Sequence, residues 1–266
     1  MEIAKKTDTS AAKAPAPANP ALIDAMFKAG SHSAFSRSRR HPSTKPYIFG
    51  TKNRVEIFDL EKTAPMLQSA KEFIQGVVAN GGTVLLLGGK SESREIIRKA
   101  AESVSMPYVA DRWIGGTFSN FTEIKKRIDK LATLTSKREK GELAKYTKKE
   151  RLLIDREIDN LQRFFGGISS MTGLPKVLFV IDHKREAIAA EEARSVGVPV
   201  VSLCGSDSNL RDTDHAILAN DTSPSSIAFI VGEITEAIKE GQKLALKRVP
   251  AAGVATMATE KAGISA

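Results

Sequence analysis

From residue 83 onward, short runs of consecutive apolar residues alternate with longer stretches in which apolar residues recur every three or four positions. Continuous apolar runs are typical of strands that are buried on both faces, and the longer spacing is typical of helices with one buried face. The pattern predicts a mainly parallel sheet with helices on both faces. The predicted strands are 83–88, 107–110, 177–182, 199–204 and one near 215–218, and the predicted helices are 91–104, 184–196 and 224–241.

The chain before this alternation combines two helical patterns with a loop and a hairpin. "PALIDAMFKAG" predicts a short helix that ends at Gly30, and the Ser- and Pro-rich stretch after it predicts an irregular loop. "YIFGTKNRVEIFDL" predicts two short strands around a turn at residues 50–53. "EKTAPMLQSAKEFIQGVVANGG" then predicts a helix with Pro65 in its first turn and Gly81 at its end.

Between residues 120 and 165 the alternation is interrupted by two heptad-like stretches, one on each side of the charged "SKREKGELAKYTKKE". This arrangement predicts an antiparallel helical hairpin that projects from the sheet domain, with Asn120 and Glu123 forming a capping box at its start. We expect an α/β globular domain over 21–118 and 167–245, the hairpin over 119–166, and disordered tails at 1–20 and 246–266.

Basic residues are concentrated in two parts of the chain. The formal net charge is +9; residues 1–54 carry ten Lys and Arg against three acids, and residues 111–166 carry fourteen against nine. Between Lys28 and Arg54 there are seven basic side chains and no acid. Such a segment favours binding to a polyanion, because neutralised phosphates release counterions. The alternative is a solvated basic arm without a partner.

Composition excludes several classes of protein. The longest apolar runs are about six residues, far shorter than a membrane span. The single cysteine, Cys204, excludes disulfides within the chain, and the first twenty residues lack the hydrophobic centre of a signal peptide. We therefore expect a cytoplasmic protein with no membrane partner.

The stretch "TVLLLGGKSES" is similar to the end of a phosphate-binding loop, but its spacing is wrong. That motif needs a glycine five positions before its second glycine, and counting back from Gly89 reaches Val84, inside a predicted strand. We interpret the glycine pair as a tight strand-to-helix connection and Lys90 as either a phosphate contact or a solvated side chain. There is no dinucleotide fingerprint, zinc-ligand spacing or nucleophile elbow, and we interpret His183 as a surface residue. We expect no enzyme activity and no cofactor.

One stretch, "ADRWIGGTFSNFTEIKKRI", is too specific for a generic core. It joins the only tryptophan of the chain to an arginine, two glycines and two phenylalanines, immediately before the hairpin. We expect Trp113 and Phe118 to pack at the joint between domain and hairpin, and Arg112 to reach outward.

Within that stretch, "RWIGGTFSNFTEI" resembles the signature of the bacterial-type small-subunit ribosomal protein S-two family. Further stretches resemble the same family in the same order between about residues 22 and 242, among them "KPYIFGTKNRVEIFDLEKTAPML", "VVANGGTVLLLGGK", "KYTKKE", "FFGGISSMTGLPKVLFVID" and "ANDTSPSSI". The resemblance implies a flavodoxin-like α/β fold with an inserted hairpin. It also implies a structural role without catalysis, in which the protein binds ribosomal RNA near the head–body junction of the small subunit.

The resemblance implies three partners: small-subunit ribosomal RNA, neighbouring small-subunit ribosomal proteins and the large ribosomal protein S-one. The sequence departs from the family pattern near its start, where His32 is present but Phe35 stands at the position of a second histidine. We therefore predict no metal site. Two loops also depart, at Gly205–Asp207 and Ala216–Asp221, which are surfaces where S-one docking would be affected.

The predicted function is phosphate binding by basic side chains that position the protein on RNA without reading its sequence. Either His41 or Tyr47 is a candidate for stacking on an unpaired base. A free-standing RNA-binding module and a nucleotide hydrolase are the rival interpretations. The candidate RNA contacts are Arg37, Arg39, Arg40, Lys45, Lys52, Arg54, Lys90, Arg94, Arg112, Lys125 and Lys126.

Overall fold

The structure is a computed structural model that describes residues 20–248, with eight strands and seven α-helices in that range. The predicted tails, 1–20 and 246–266, lie outside the described residues except for residue 20 and residues 246–248, which belong to helices. In chain order the elements are α1 (Pro20–Lys28), β1 (Ser33–Ser36), β2 (Ile48–Lys52), β3 (Val55–Phe58), α2 (Leu60–Ala79), β4 (Val84–Leu87), α3 (Ser91–Val104), β5 (Tyr108–Val109), α4 (Phe121–Glu139), α5 (Lys148–Phe165), β6 (Val177–Ile181), α6 (Ala187–Ser195), β7 (Val200–Cys204), β8 (His215–Leu218) and α7 (Pro224–Arg248).

The central sheet has five parallel strands in the order β5-β4-β6-β7-β8. Numbered within the sheet, this order is 2-1-3-4-5, the arrangement of flavodoxin-like folds. The chain order reverses between β4 and β6, so the carboxyl ends of these two strands border the crevice where such sheets hold ligands. The predicted fold class is therefore confirmed.

Both faces of the sheet are buried at its central strands, which explains why β4 and β6 are unbroken apolar runs. In β4, Val84 and Leu86 belong to the core formed with α2, α3 and α7, whereas Leu85 and Leu87 belong to the core formed with α6 and the base of the hairpin. All four side chains are fully buried, and each burial contributes about 1.5–3 kcal/mol. A polar side chain at any of these positions would disrupt one of the two cores.

A second, antiparallel sheet precedes the central one, in the order β1-β3-β2. The predicted hairpin is its β2–β3 unit, but the strand β1 contradicts the expected irregular loop. Ser33 of β1 pairs with Ile57, and Ser36 pairs with Val55. The sequence of β1 has no β-branched residue, so its extended conformation comes from the edge of β3, which supplies the hydrogen-bonding partner.

The predicted antiparallel hairpin consists of α4 and α5, but its capping differs from the expectation. Asn120 is the N-cap of α4, yet its side chain accepts no capping hydrogen bond, and Glu123 pairs with Lys126 instead. A complete capping box stands at the start of α5, where the Thr147 hydroxyl accepts from the Glu150 N–H and the Glu150 carboxylate accepts from the Thr147 N–H.

Two long helices depart from the predicted bounds. Because α2 begins at Leu60, Pro65 lies in its second turn instead of its first. The last helix, α7, continues to Arg248, beyond the predicted end at residue 241. Within residues 20–248, no helix is both long enough and apolar enough to cross a membrane.

Candidate nucleic-acid interface

The basic segment is fastened to the loop that follows β7. The backbone N–H of His41 and the hydroxyl of Thr44 both donate to the carbonyl of Ser206, each at 2.9 Å. The N–H of Phe35 donates to the Ser206 hydroxyl at 3.1 Å. The loop after β7 therefore holds the segment in a defined position at the carboxyl end of the sheet, although the sequence alone predicted an irregular loop.

The structure separates the candidate cations by exposure. Arg40 is half-buried and Lys90 is buried. The remaining candidates have exposed side chains, which is the first requirement for contact with an external phosphate: Arg37, Arg39, Lys45, Lys52, Arg54, Arg94, Arg112, Lys125 and Lys126.

Arg39 is held in place from two sides while more than half of its side chain stays exposed. Its guanidinium lies 4.3 Å from the centre of the Phe35 ring and 3.5 Å from the Asp207 carboxylate. A cation–π contact and an ion pair both restrict the rotamer, which reduces the entropy lost on binding an anion. Lys184, which the sequence analysis did not select, contacts the same carboxylate at 3.1 Å.

Arg40 has a structural partner inside the protein. Its guanidinium lies 2.7 Å from the carboxylate of Glu56, a residue of β3 that is 1% exposed. The second carboxylate oxygen of Glu56 has no hydrogen-bond partner among the described residues. Removal of Arg40 would leave a buried, uncompensated charge, so this arginine neutralises the protein interior, and only 18% of its side chain is exposed to an external phosphate.

Lys52 and Arg54 lie at the tip of the β2–β3 hairpin. Lys52 pairs with Val55, so Asn53 and Arg54 form a two-residue loop, and both have positive φ, at 52° and 66°. Two-residue hairpin loops of this kind favour Asn followed by Gly, because their twist matches that of the strands. Arginine is costly at the second position, yet it places an exposed cation at the extreme end of the hairpin.

Lys90 is part of a buried ion triad at the crevice between β4 and β6. Its ammonium lies 2.7 Å from a carboxylate oxygen of Asp182 and 2.7 Å from one of Asp221, and it also donates to the Asp221 carbonyl at 3.0 Å. Burial by itself would lower the pKa of Lys90, but its hydrogen bonds to the two carboxylates outweigh this and raise it. Burial raises the pKa of Asp221, and the pairing with Lys90 only partly offsets this. The ammonium therefore faces internal carboxylates, not the solvent where a phosphate would bind.

The two glycines next to the triad pack closely against the rest of the protein. A side chain at Gly88 would come within 2.8 Å of the Ser93 hydroxyl, and one at Gly89 would come within 2.5 Å of the Asp111 carbonyl. The turn is thus closed tightly by its own surroundings. This geometry agrees with the interpretation of a strand-to-helix connection and gives no support to a nucleotide hydrolase.

Arg94 and Arg112 flank the Trp-containing stretch but differ in their contacts. Arg94 of α3 and Arg163 of α5 both contact the carboxylate of Asp111. The hydrogen bond from Arg163 lowers the pKa of Asp111. Burial opposes this effect, but the charges of Arg94 and Arg163 add to it, so the pKa is lowered overall. This bridge joins α3 to the hairpin, whereas the exposed Arg112 next to it is available for an external contact.

A single carboxylate organises the loop that begins the hairpin. Glu192 of α6 accepts hydrogen bonds from the backbone N–H groups of Gly116 at 2.8 Å and Phe118 at 3.0 Å, and from the Trp113 indole at 3.4 Å. Trp113 and Phe118 are buried and meet edge-to-face at 5.0 Å. The expected joint between domain and hairpin is therefore present, and Glu192 was missed because it lies 74 residues from Phe118.

The candidate residues on the hairpin form a separate group. Lys125 and Lys126 lie on α4 with exposed side chains, and Lys126 pairs with Glu123 in the same helical turn. The charge of Lys126 is therefore partly compensated, while Lys125 is exposed on α4.

Three aromatic and histidine expectations have different outcomes. His183 was expected at the surface but is buried, with its Nε2 lying 3.0 Å from the Asp212 carbonyl. His41 is half-buried, and its Nδ1 caps the N–H of Ser43 at 3.3 Å; Tyr47 is half-buried against the small core around Phe58. Both rings are therefore committed to internal contacts. Within residues 20–248, no three His, Cys, Asp or Glu side chains are grouped as metal ligands.

Comparison with a protein-family model and comparison with individual known proteins both find small-subunit ribosomal proteins. The chain matches the family model described as Ribosomal protein S2 over residues 26–241. It is similar to the small ribosomal subunit protein uS2 of Desulfatibacillum aliphaticivorans, with 40% identity over 223 residues that cover 84% of this chain and 76% of that protein. It is also similar to the proteins of the same name from Francisella tularensis subsp. novicida and subsp. tularensis, each 38% identical over 223 residues, which cover 84% of this chain and 93% of each relative.

Proposed function

Because the chain belongs to the ribosomal protein S2 family, which consists of small-subunit ribosomal proteins, we propose that it binds small-subunit ribosomal RNA through phosphate contacts. In this role it supports translation as a structural component and has no catalytic step. Its contacts lie near the head–body junction, and neighbouring small-subunit proteins complete its surroundings.

One observation carries this proposal: a basic segment without any acid is anchored to the folded domain and exposes most of its cations. Between Lys28 and Arg54 every charged side chain is positive, and the Ser206 carbonyl holds the middle of the segment in place. An anchored array of cations loses less conformational entropy on binding than a flexible arm does. The arrangement therefore favours a partner with regularly spaced phosphates.

The proposed contacts position the protein on RNA but do not read bases. Guanidinium and ammonium groups make charge-assisted hydrogen bonds to phosphate oxygens, which are the same at every nucleotide. The primary contacts are Arg37, Arg39 and Lys45 on the anchored segment and Lys52 and Arg54 at the tip of the β2–β3 hairpin. Arg94, Arg112, Lys125 and Lys126 are secondary candidates, while Arg40 and Lys90 act within the protein.

Sedimentation tests the ribosomal assignment. The tagged protein is expected to migrate with the small subunit in a low-salt lysate and to be lost after a high-salt wash, because phosphate contacts are screened by salt. A protein that stays at the top of the gradient at low salt would contradict the ribosomal role and favour a free-standing RNA-binding module.

The salt dependence of RNA binding tests the phosphate contacts themselves. If about five phosphates are neutralised, a plot of log affinity against log salt concentration has a slope near −4. Replacing Arg37 and Lys45 by Ala is expected to make that slope shallower by about 2. Lys99→Ala combined with Lys239→Ala, which removes two exposed cations from helices α3 and α7, is the matched control and should leave it unchanged.

A further inference from the structure

Two chain segments that are distant in sequence meet at the carboxylate of Asp207: the short 3-10 turn at Arg37–Arg39 and the connection between β6 and α6 that contains Lys184. The turn at Leu210–Asp212, which contains Arg211, follows Asp207 in the chain and contacts the basic segment. We propose that Lys184 and Arg211 extend the RNA-binding surface beyond the basic segment and bind phosphate together with Arg39. We call Arg39, Lys184, Asp207 and Arg211 the Asp207 cluster.

The first observation is that two cations share one acceptor. Arg39 Nη2 and Lys184 Nζ both approach the same oxygen of Asp207, at 3.5 Å and 3.1 Å. The Asp207 carboxylate is 6% exposed, whereas the side chains of Arg39 and Lys184 are each 58% exposed. The acid thus lies beneath the two cations and fixes their positions, and the positive groups face the solvent.

The second observation is that most donors of these cations are unused by Asp207. A guanidinium has five N–H donors and an ammonium has three, and the shared oxygen can satisfy only a small part of them. One negative charge against two positive charges also leaves the pair with a net positive charge. A phosphate that bridges Arg39 and Lys184 from the solvent side would meet unoccupied donors on both.

The third observation places the turn that contains Arg211 against the basic segment. The N–H of Leu210 donates to the Ser43 hydroxyl at 3.2 Å, so the turn lies against the basic segment. On its other side, the Asp212 carbonyl lies 3.0 Å from His183 Nε2 and accepts from Arg194 Nη2 at 2.6 Å. The turn therefore lies between the basic segment and the residues next to Lys184, and the exposed Arg211 sits within it.

This inference rests on the proposed function, because it assigns these cations to the same RNA partner. The cluster is continuous with the basic segment: Arg39 belongs to both, and Ser43 connects the segment to the turn that carries Arg211. Phosphates that follow one another along an RNA backbone can contact such an extended surface. A protein partner instead needs a dehydrated centre depleted in Lys, which this cluster does not offer.

The test compares binding of the full chain to purified small-subunit ribosomal RNA over a series of salt concentrations. Lys184→Ala combined with Arg211→Ala is expected to weaken binding by about tenfold, from two exposed charge contacts of about 0.7 kcal/mol each. The slope of log affinity against log salt is expected to become shallower by about 2. Lys99→Ala with Lys239→Ala serves again as the control and should change neither quantity.

A second variant tests the arrangement of the cluster without removing a cation. Asp207→Asn keeps the size of the side chain but removes the negative charge that competes with phosphate for Arg39 and Lys184. We expect the affinity for RNA to rise about threefold, because eliminating a like charge next to the bound phosphates outweighs the loss of the two ion pairs that hold Arg39 and Lys184 in place. An affinity equal to or below that of the wild type would contradict a phosphate site at this position.

The outcomes separate the two proposals. If the wild-type chain shows no salt-dependent RNA binding, the proposed function itself fails. If the wild type binds but Lys184→Ala with Arg211→Ala keeps its affinity and slope, only the present inference is overturned. Unchanged RNA binding together with loss of sedimentation with the small subunit would overturn it as well, and would assign the cluster to a protein neighbour.

Discussion

At the scale of single residues, the molecule holds several side chains in a backbone conformation that they rarely adopt. Asn53, Arg54 and Asp182 all have φ between 52° and 66°. Asp182 is a partner of Lys90 in the buried triad, and its carboxylate also accepts from the Arg185 N–H at 3.2 Å. The positive φ of Arg54 follows from its place in the two-residue loop of the β2–β3 hairpin.

Arg54→Gly is expected to raise the stability of the protein and to lower its affinity for RNA. Glycine adopts positive φ without the penalty of a Cβ, so we expect the free energy of unfolding to rise by about 0.5 kcal/mol. Affinity for RNA should fall, because an exposed cation is lost. Urea denaturation and RNA titration measure the two effects. The control is Lys52→Gly, which also removes a cation but lies in regular strand and should lower stability; equal destabilisation by both variants would refute the argument.

A buried carboxyl gives the protein a predictable dependence on pH. Burial raises the pKa of Glu186, the charge of Arg185 and a hydrogen bond from the Gly89 backbone partly oppose this, and the nearby charge of Asp182 adds to it. The folded protein therefore retains a proton at pH values where the unfolded chain has released it. Stability from this group is fully present below the ordinary pKa of glutamate and is lost as the pH rises through the higher folded-state pKa.

Glu186→Gln should remove that loss, because the amide stays neutral at every pH while its oxygen can still accept from Gly89. The difference in unfolding free energy between variant and wild type is expected to move in favour of the variant as the pH rises from about 4 to 7.5. Denaturation at a series of pH values measures it. A difference that stays constant with pH would show that Glu186 does not titrate in this range.

At the scale of elements, the two helices of the hairpin begin in different ways. The first turn of α5 is capped by its own sequence, through the reciprocal bonds of Thr147 and Glu150. The loop before α4 is held from outside by Glu192 of α6, which lies on the sheet domain. The start of α4 therefore depends on the domain, and the start of α5 depends on local sequence.

Thr147→Ala is expected to cost about 1 kcal/mol, the usual effect of losing an N-cap side chain. Asn120→Ala provides the matched control at the other helix and should cost little, because its side chain makes no capping bond. Amide hydrogen exchange in the first turn of α5, together with urea denaturation, reports the effect. An equal cost for both variants would contradict the assignment of the box to Thr147.

At the scale of the whole molecule, the triad joins parts of the fold that are far apart in the chain. Lys90 follows β4, Asp182 follows β6 and Asp221 lies shortly after β8. Their contacts connect the carboxyl ends of three strands of the sheet. A buried ammonium between two carboxylates is therefore a structural connection, and its removal would leave two acids without compensation.

Lys90→Met is accordingly expected to lower the free energy of unfolding by about 3–5 kcal/mol, because Asp182 and Asp221 stay buried close together without the cation that compensates their charge. Arg112→Met removes an exposed cation and should change stability by no more than about 0.5 kcal/mol. Thermal or urea unfolding distinguishes the two. If Lys90→Met kept wild-type stability and weakened only RNA binding, Lys90 would be a phosphate contact after all.

Much of the fold could be predicted from the sequence, because the patterns of apolar residues that identify strands and helices are local. The apolar runs of β4, β6 and β7 identify strands buried on both faces, and the spacing in α4 and α5 identifies the hairpin. The strand β1 was not predictable, because Phe35 is the only strand-favouring residue in its sequence, SAFS, and its extended conformation depends on pairing with β3. The capping box predicted at Asn120 is absent for a related reason, because Glu192 of another helix accepts the backbone hydrogen bonds of the loop there.

The sequence by itself determined the class of fold, the excess of basic residues and the segment that carries it, because periodicity and composition do not depend on tertiary contacts. Only the tertiary structure decided which cations face solvent. Arg40 and Lys90 look like their neighbours in the sequence, but each lies beside carboxylates brought from elsewhere in the chain. Lys184 and Arg211 carry no signal in their local sequence. Folding brings Lys184 to the carboxylate that Arg39 also contacts, and it places the turn that contains Arg211 against the basic segment. The sequence determines the charge of a residue, but its partner depends on which distant segments the fold brings next to it.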